Sequence, residues 1–204
     1  MIATRRHWIL AVAALGLAAG CSRPPPIKGT FVLEPAMPPV AAKTQPGLLR
    51  IGSFTVGAAY RGKQFVFRES ELKYETDYYN EFLVAPGANI GEATARALSA
   101  AKVFASVAPT SVTLDPDFIL DGFVGELYGD GRNMDKPDAV ISITFFLRRQ
   151  AGDLGVPVWS RTYVKRVPFA TGSAGAYVTA LNTGLSEILA ELAKDLSAGA
   201  VPAR

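Results

Sequence analysis

The only cysteine of the chain stands at position 21, directly behind Ala18-Ala19-Gly20. Trp8 to Ala19 before it reads WILAVAALGLAA, 12 mostly apolar residues preceded by Arg5, Arg6 and His7. A membrane-crossing helix needs about 20 such residues. The run therefore has the form of a secretory signal: basic start, short apolar middle, small residues at the end. With one cysteine no disulfide can form within the chain, so an apolar core has to hold the fold. A chain of 204 residues is long enough to bury one.

The boundary at Cys21 resembles a bacterial lipobox, where the signal is cut just before the Cys and the thiol is acylated. The commonest form has Leu three places before the Cys. Here that place is Ala18, and Leu17 lies one further out. The competing reading is an ordinary secretory signal with a buried Cys behind it. The position of Cys21 and the polar, Pro-rich stretch that follows favour lipidation. The expected attachment is a diacylglycerol on Cys21, with no other cofactor. Lipid chains contribute about 0.8 kcal/mol per buried CH₂, and two or more anchor a protein stably. Ser22 rather than Asp follows the Cys. By likeness to lipoprotein sorting in enteric bacteria, this points to the periplasmic face of the outer membrane.

Removing the first 20 of the 204 residues takes away Arg5 and Arg6, and the net charge falls from +3 to +1. The only histidine, His7, goes with the signal. Without His or a free thiol, Ser-His-Asp and Cys-His catalysis have no residues to work with. His/Cys zinc sites are excluded in the same way. No catalytic residue and no metal ligand is read from the sequence, and the expectation is a non-enzymatic protein. So even a charge balance gives no nucleic-acid partner.

Seven of the 14 prolines fall between Pro24 and Pro46. Pro24-Pro25-Pro26 is expected to be extended and semi-rigid. The expected organisation is a signal over 1–20, a lipidated Pro-rich tether over 21–46, one domain over 47–199 and a short tail over 200–204. Thr30 to Leu33 reads as a short edge strand inside the tether, Leu48 to Val56 and Gln64 to Arg68 as strands. Leu72 to Val84 alternates, with Leu72, Tyr74, Thr76, Tyr78 and Phe82 on one face. Lys73, Glu75, Asp77, Tyr79 and Glu81 take the other, so the first set is expected in the core. Asn89 with Glu92 three residues on has the spacing of a capping box. It predicts a helix with Ile90, Ala97, Leu98 and Ala101 on its apolar stripe. Phe104 to Val107 reads as a short strand or a connector, and Phe118 to Tyr128, Ala139 to Arg149 and Val158 to Phe169 as strands. Gly122 and Gly125 mark a bulge or a close backbone approach, and Asp153 to Pro157 a turn. Ala174 to Leu196 is a long helix with Tyr177, Leu181, Leu185, Ile188, Leu192 and Leu196 in one stripe, stopped near Gly199. The order predicts an α/β (α+β) two-layer sandwich, a mainly antiparallel or mixed sheet with two helices on one face.

The acidic cluster Glu69, Glu71, Glu75, Asp77 and Glu81 reads as a solvated strand face. Asp115, Asp117, Asp121 and Asp130 lack calcium-loop spacing. Gly129-Asp130-Gly131 is a turn, not a phosphate loop. Two features remain as candidate interface. Tyr79 points away from the buried side of its strand. Arg161, Lys165 and Arg166 suit either an exposed strand edge or contact with anionic lipid. The stripe of the last helix fits a seam between copies of the chain or packing on its own sheet.

Phe65-Val66-Phe67-Arg68, the Tyr-rich run Tyr74 to Phe82, Pro86 with the helix after it, and Val103-Phe104 with Val107 together resemble the PqiC-like ABC-type transport auxiliary lipoprotein family. Many members carry Trp near the place of Phe82. The similarity continues through the later strands and the closing helix, and Cys21 is the one functional position it transfers. The resemblance implies an auxiliary docking component at the outer membrane. Its partner would be the MCE-domain periplasmic protein of an ABC transport system that moves phospholipids or other hydrophobic molecules. Further copies of the chain are the other expected partner. The rival readings are a stand-alone periplasmic lipid-binding module and an assembly lipoprotein that binds another envelope protein.

Overall fold

A computed structural model describes residues 28–112, 115–150 and 156–200. Cys21, the three consecutive prolines and most of the expected turn at 153–157 lie outside these residues. In chain order the elements are β1 (Gly29–Phe31), β2 (Gln45–Val56), β3 (Gln64–Arg68), β4 (Tyr74–Phe82), α1 (Pro86–Ala100), β5 (Phe104–Ala108), β6 (Phe118–Asp130), β7 (Asp138–Arg149), β8 (Trp159–Pro168) and α2 (Ala174–Asp195). The eight strands of the described residues form one sheet, and the sandwich expected from the sequence is the fold observed. Among the described residues no helix is long and apolar enough to cross a membrane.

The longest strand, β6, organises the sheet. On one side it pairs antiparallel with β7, and β7 with the edge strand β8. Its other side is shared. Leu49 to Val56 of β2 run parallel to Phe118 to Val124, while Phe67 and Arg68 of β3 run parallel to Gly129 and Asp130. β5 then adds to β2, and β4 with β1 to β3. The sheet is thus mixed, and it forks beyond β6.

Both helices cover one face. Ile141, Ile143, Phe145 and Leu147 of β7 are buried with Leu181, Leu185, Ile188 and Leu192 of α2, and α1 adds Ile90, Ala97 and Leu98. The α2 stripe is therefore used on its own sheet, as one of the two sequence readings has it. Gly122 is the close approach that the sequence marks: a Cβ there would lie 2.4 Å from the Phe54 ring. Gly125 is the bulge, where the β6–β7 register shifts between Val124 and Glu126.

Three expectations are corrected. The helix does not start at a capping box. Pro86 opens α1, its fixed φ and missing N–H suiting the first turn. Asn89 lies inside the helix, buried. Its Oδ1 accepts from Leu33 N at 2.8 Å, and its Nδ2 donates to Leu33 O at 3.1 Å.

The tether also ends earlier than position 46. Glu34 N donates to Asn182 Oδ1 and Ala36 N to Ser186 Oγ, both at 2.8 Å. Ala41 N donates to Ala101 O at 2.7 Å. Residues 32–44 are a strap across both helices, and Leu33 is fully buried beneath it.

Lastly, Tyr74 and Tyr78 are not core residues. Between Val66↔Thr76 and Gln64↔Glu81 the register slips, because Asp77 folds the strand into a bulge. Its Oδ1 accepts from Tyr79 N and Asn80 N, and its Oδ2 from Asn80 Nδ2. A bulge breaks the period of two, so Tyr78 and Tyr79 are both exposed while Phe82 returns to the core; Tyr74, before the bulge, lies on the face away from the helices, against Tyr128.

Candidate docking surface

Among the described residues, no second layer covers the face of the sheet opposite the helices over β6, β7 and β8, apart from Tyr60 at its far end. Alternation sends Asp121, Phe123, Glu126 and Tyr128 of β6 to it. Ser142, Thr144, Phe146 and Arg148 of β7, and Ser160, Thr162, Val164 and Arg166 of β8, share it. Phe123 lies opposite Thr144, and Thr144 opposite Thr162; Ser142 lies opposite Val164. Phe123 is 41% exposed and Val164 52%, with Phe146 half-buried on the next row. The Thr144 and Thr162 hydroxyls share a hydrogen bond of 2.8 Å. The patch is mixed apolar and hydroxyl, the texture of a non-obligate protein interface. Arg148 closes one end of it, its Nε donating to Asp121 Oδ2 at 2.8 Å.

At the other end, near the fork, the face carries an aromatic cluster. Tyr60 stacks on Tyr128 with centroids 5.8 Å apart, and Tyr74 meets the same ring edge-on at 5.7 Å. Val66 and Val140 lie beneath them. Burial, with the Tyr74 hydroxyl beside it, pushes Tyr60 up to about 12.

Beyond this cluster Asp130 accepts two bonds from Arg132, Nε at 2.9 Å and Nη2 at 2.8 Å, and pairs with Arg166. Arg132 also pairs with Glu71, and so does Arg68. The Arg132 guanidinium holds the Asp130 carboxyl far below the usual carboxylate range, with Arg166 adding to it. Every guanidinium of this cluster already holds a carboxylate. It ties the β6–β7 turn to the loop before β4; it does not offer a free anion site.

The residues singled out from sequence do not converge. Tyr79 is 57% exposed at the β4 bulge, edge-on to Tyr78 with centroids 5.2 Å apart. Arg161 and Lys165 point to the helix side of β8. They pair with Asp195 at 2.6 Å, and with Glu191 at 2.6 Å and Glu187 at 3.3 Å, all on α2. Arg166 points to the uncovered face and Asp130. β8 is an edge strand, as those basic residues suggest, but its cations are used within the domain. Phe123 and Phe146 escape sequence reading because each is a lone aromatic on a stretch of face that otherwise carries Asp121 and Glu126, or Ser142, Thr144 and Arg148, which reads as a solvated strand face.

A second concavity, of about 450 Å³, lies where α1 passes over β2. Gly87, Gly91 and Ala95 of the helix, Phe54 and Thr110 line it. Thr110 Oγ1 donates to Gly52 O at 3.0 Å. Among the described residues no three acidic, His or Cys side chains gather as metal ligands.

No family model matches the chain, and no curated protein does. Solved structures share the fold. Protein XCC0632 from Xanthomonas campestris, described under the family DUF330, aligns with a TM-score of 0.72 at 18% identity, over 83% of this chain and 96% of its own. A structure described only as an uncharacterized protein aligns at 0.66 and 18% identity, over 84% and 99%. PelC from Paraburkholderia phytofirmans, a dodecamer, aligns at 0.42 and 16% identity, over 77% and 95%. At that score its assembly is a property of PelC. The first two likenesses establish a shared fold. They correct the resemblance drawn from sequence: the neighbour is described under DUF330, no family model matches, and membership of the PqiC-like auxiliary family is not carried forward.

Proposed function

We propose that the chain is a membrane-tethered docking component of the bacterial envelope. Acylated Cys21 holds it at the periplasmic face of the outer membrane, and the uncovered sheet face meets a periplasmic partner. The observation that carries the reading is that bare face. Phe123, Phe146 and Val164 stand there on three adjacent strands, without a covering layer among the described residues. A short acylated leader would bring this face to a fixed height above the bilayer. The partner proposed is the MCE-domain protein of an ABC transport system moving phospholipids or other hydrophobic molecules. Self-association of the chain is part of the same proposal. The role asks only for a tether and a surface.

Cross-linking in cells followed by mass spectrometry tests it. Capture of an MCE-domain protein through β6–β8 is the expected result, and links between copies of the chain would add self-association. Capture of a cell-wall synthase alone would replace this reading with that of an assembly lipoprotein. The groove beside α1 supports a second reading, a lipid-binding module. Its volume falls in the range of small-molecule sites, about 300–1,000 Å³. Phospholipid co-purifying with a monomer would favour that reading.

A further inference from the structure

We infer that the Tyr78–Tyr79 corner of β4 rests on the bilayer surface beside the anchor. This rests on the reading of Cys21 as acylated. Lys28, the first described residue, is seven residues beyond Cys21. Fully extended, seven residues span at most about 25 Å, and a polyproline stretch at about 3.1 Å per residue spans less. A domain of this size is about 30–40 Å across. The strap prevents any lengthening of the leader, because Leu33, Glu34 and Ala36 are each hydrogen-bonded to a helix side chain. The point where the leader joins the domain is therefore held close to the membrane.

That point is the β4 bulge. β1 runs parallel to β4 with Gly29 opposite Asn80 and Thr30 opposite Glu81. Lys28 Nζ bonds Glu81 at 3.0 Å and sits 5.8 Å from the centre of the Tyr78 ring. Tyr78 is 64% exposed. Two phenols fixed side by side by the three Asp77 hydrogen bonds project from the corner at which Lys28 and β1 join the sheet. Tyr has an apolar body and a polar tip, and it concentrates at membrane–water interfaces for that reason. Beside the two rings Lys28 is paired with Glu81, and Asp77 adds negative charge. The contact is thus with the interfacial zone of a neutral lipid such as phosphatidylcholine, and it does not depend on anionic headgroups.

The test uses the full acylated chain in phosphatidylcholine vesicles containing a headgroup-nitroxide phosphatidylcholine. The Cys21 thiol is blocked by its lipid, so one introduced Cys is the sole labelling site. A bimane on Thr76→Cys is expected to be quenched at least threefold more than one on Val164→Cys. Tyr78→Ser with Tyr79→Ser should lower the first to the level of the second, with vesicle flotation and melting temperature unchanged. Equal quenching at 76 and 164 on chains whose intact mass shows the acyl groups overturns the contact and leaves the anchor standing. Quenching at 76 that survives both serine substitutions overturns the role of the two tyrosines. Chains without acyl mass on Cys21 overturn the anchor and the distance argument with it.

Discussion

Asp130 shows how much one side chain can hold. It is 5% exposed at the end of β6 and binds guanidiniums from its own turn and from β8. Its pKa is depressed in the folded protein, so the carboxylate form is the one that stabilises the fold. That stability is fully present above the unfolded value near 3.9. It is lost as pH falls toward the depressed folded value. Asp130→Asn should cost about 1.5–3 kcal/mol at pH 7, the range for hydrogen bonds to charged groups. The larger cost of a deeply buried broken pair is avoided because Arg132 and Arg166 remain 35% and 44% exposed and can turn to water. Urea melts at pH 7 and at pH 3 check this. The difference between wild type and variant should shrink at the lower pH, and a constant difference would contradict the sign. In the sequence Asp130 is only the middle of a Gly-Asp-Gly turn. Its second partner lies 36 residues away, a separation that no local pattern carries.

Among the elements, the strap is the least expected. Residues 32–44 contain no regular structure beyond a bend, yet Leu33, Glu34 and Ala36 are hydrogen-bonded to helix side chains and Ala41 to the residue after α1. Asn89→Ala leaves the Leu33 N–H and C=O without partners in a buried place. The expected loss is about 2–3 kcal/mol, with protease cleavage inside 32–44 appearing before global unfolding. An unchanged denaturation midpoint would mean that Asn182 and Ser186 suffice.

The same segment marks the limit of reading by pattern. Proline density says irregular, and it is irregular; it does not say bound. Asn89 with Glu92 has the spacing of a cap, but Pro86 starts the helix three residues earlier and frees Asn89 for a long-range role. β6, β7 and α2 were legible because burial sets their period directly. In β4 one Asp side chain bonding its own backbone was enough to undo the alternation. For the same reason the exposure of Tyr79 is legible and that of Tyr78 beside it is not.

For the whole molecule, the two proposed surfaces divide the work. In the proposed arrangement the β1–β4 corner faces the anchor, and β6–β8 turn their exposed face to a partner. A surface retained for binding can be changed without harm to the fold, while a surface that is merely solvated can be changed without harm to binding. Phe123→Lys with Val164→Lys separates the two cases. Both side chains are already wet, and exposed substitutions usually change stability by no more than about 0.5 kcal/mol. The cost of Lys in a strand adds a few tenths more. The helix-side core of β7, from Ile141 to Leu147, is untouched, so the variant should melt within a few degrees of wild type. Central apolar residues of a docking face are worth about 2 kcal/mol or more each when lost, which is roughly 30-fold in affinity. Partner capture in cells should therefore fall at least tenfold while membrane flotation stays intact. A folded, membrane-bound variant that captures its partner as well as wild type would move the docking surface off β6–β8, to the groove beside α1 or the free edge of β5.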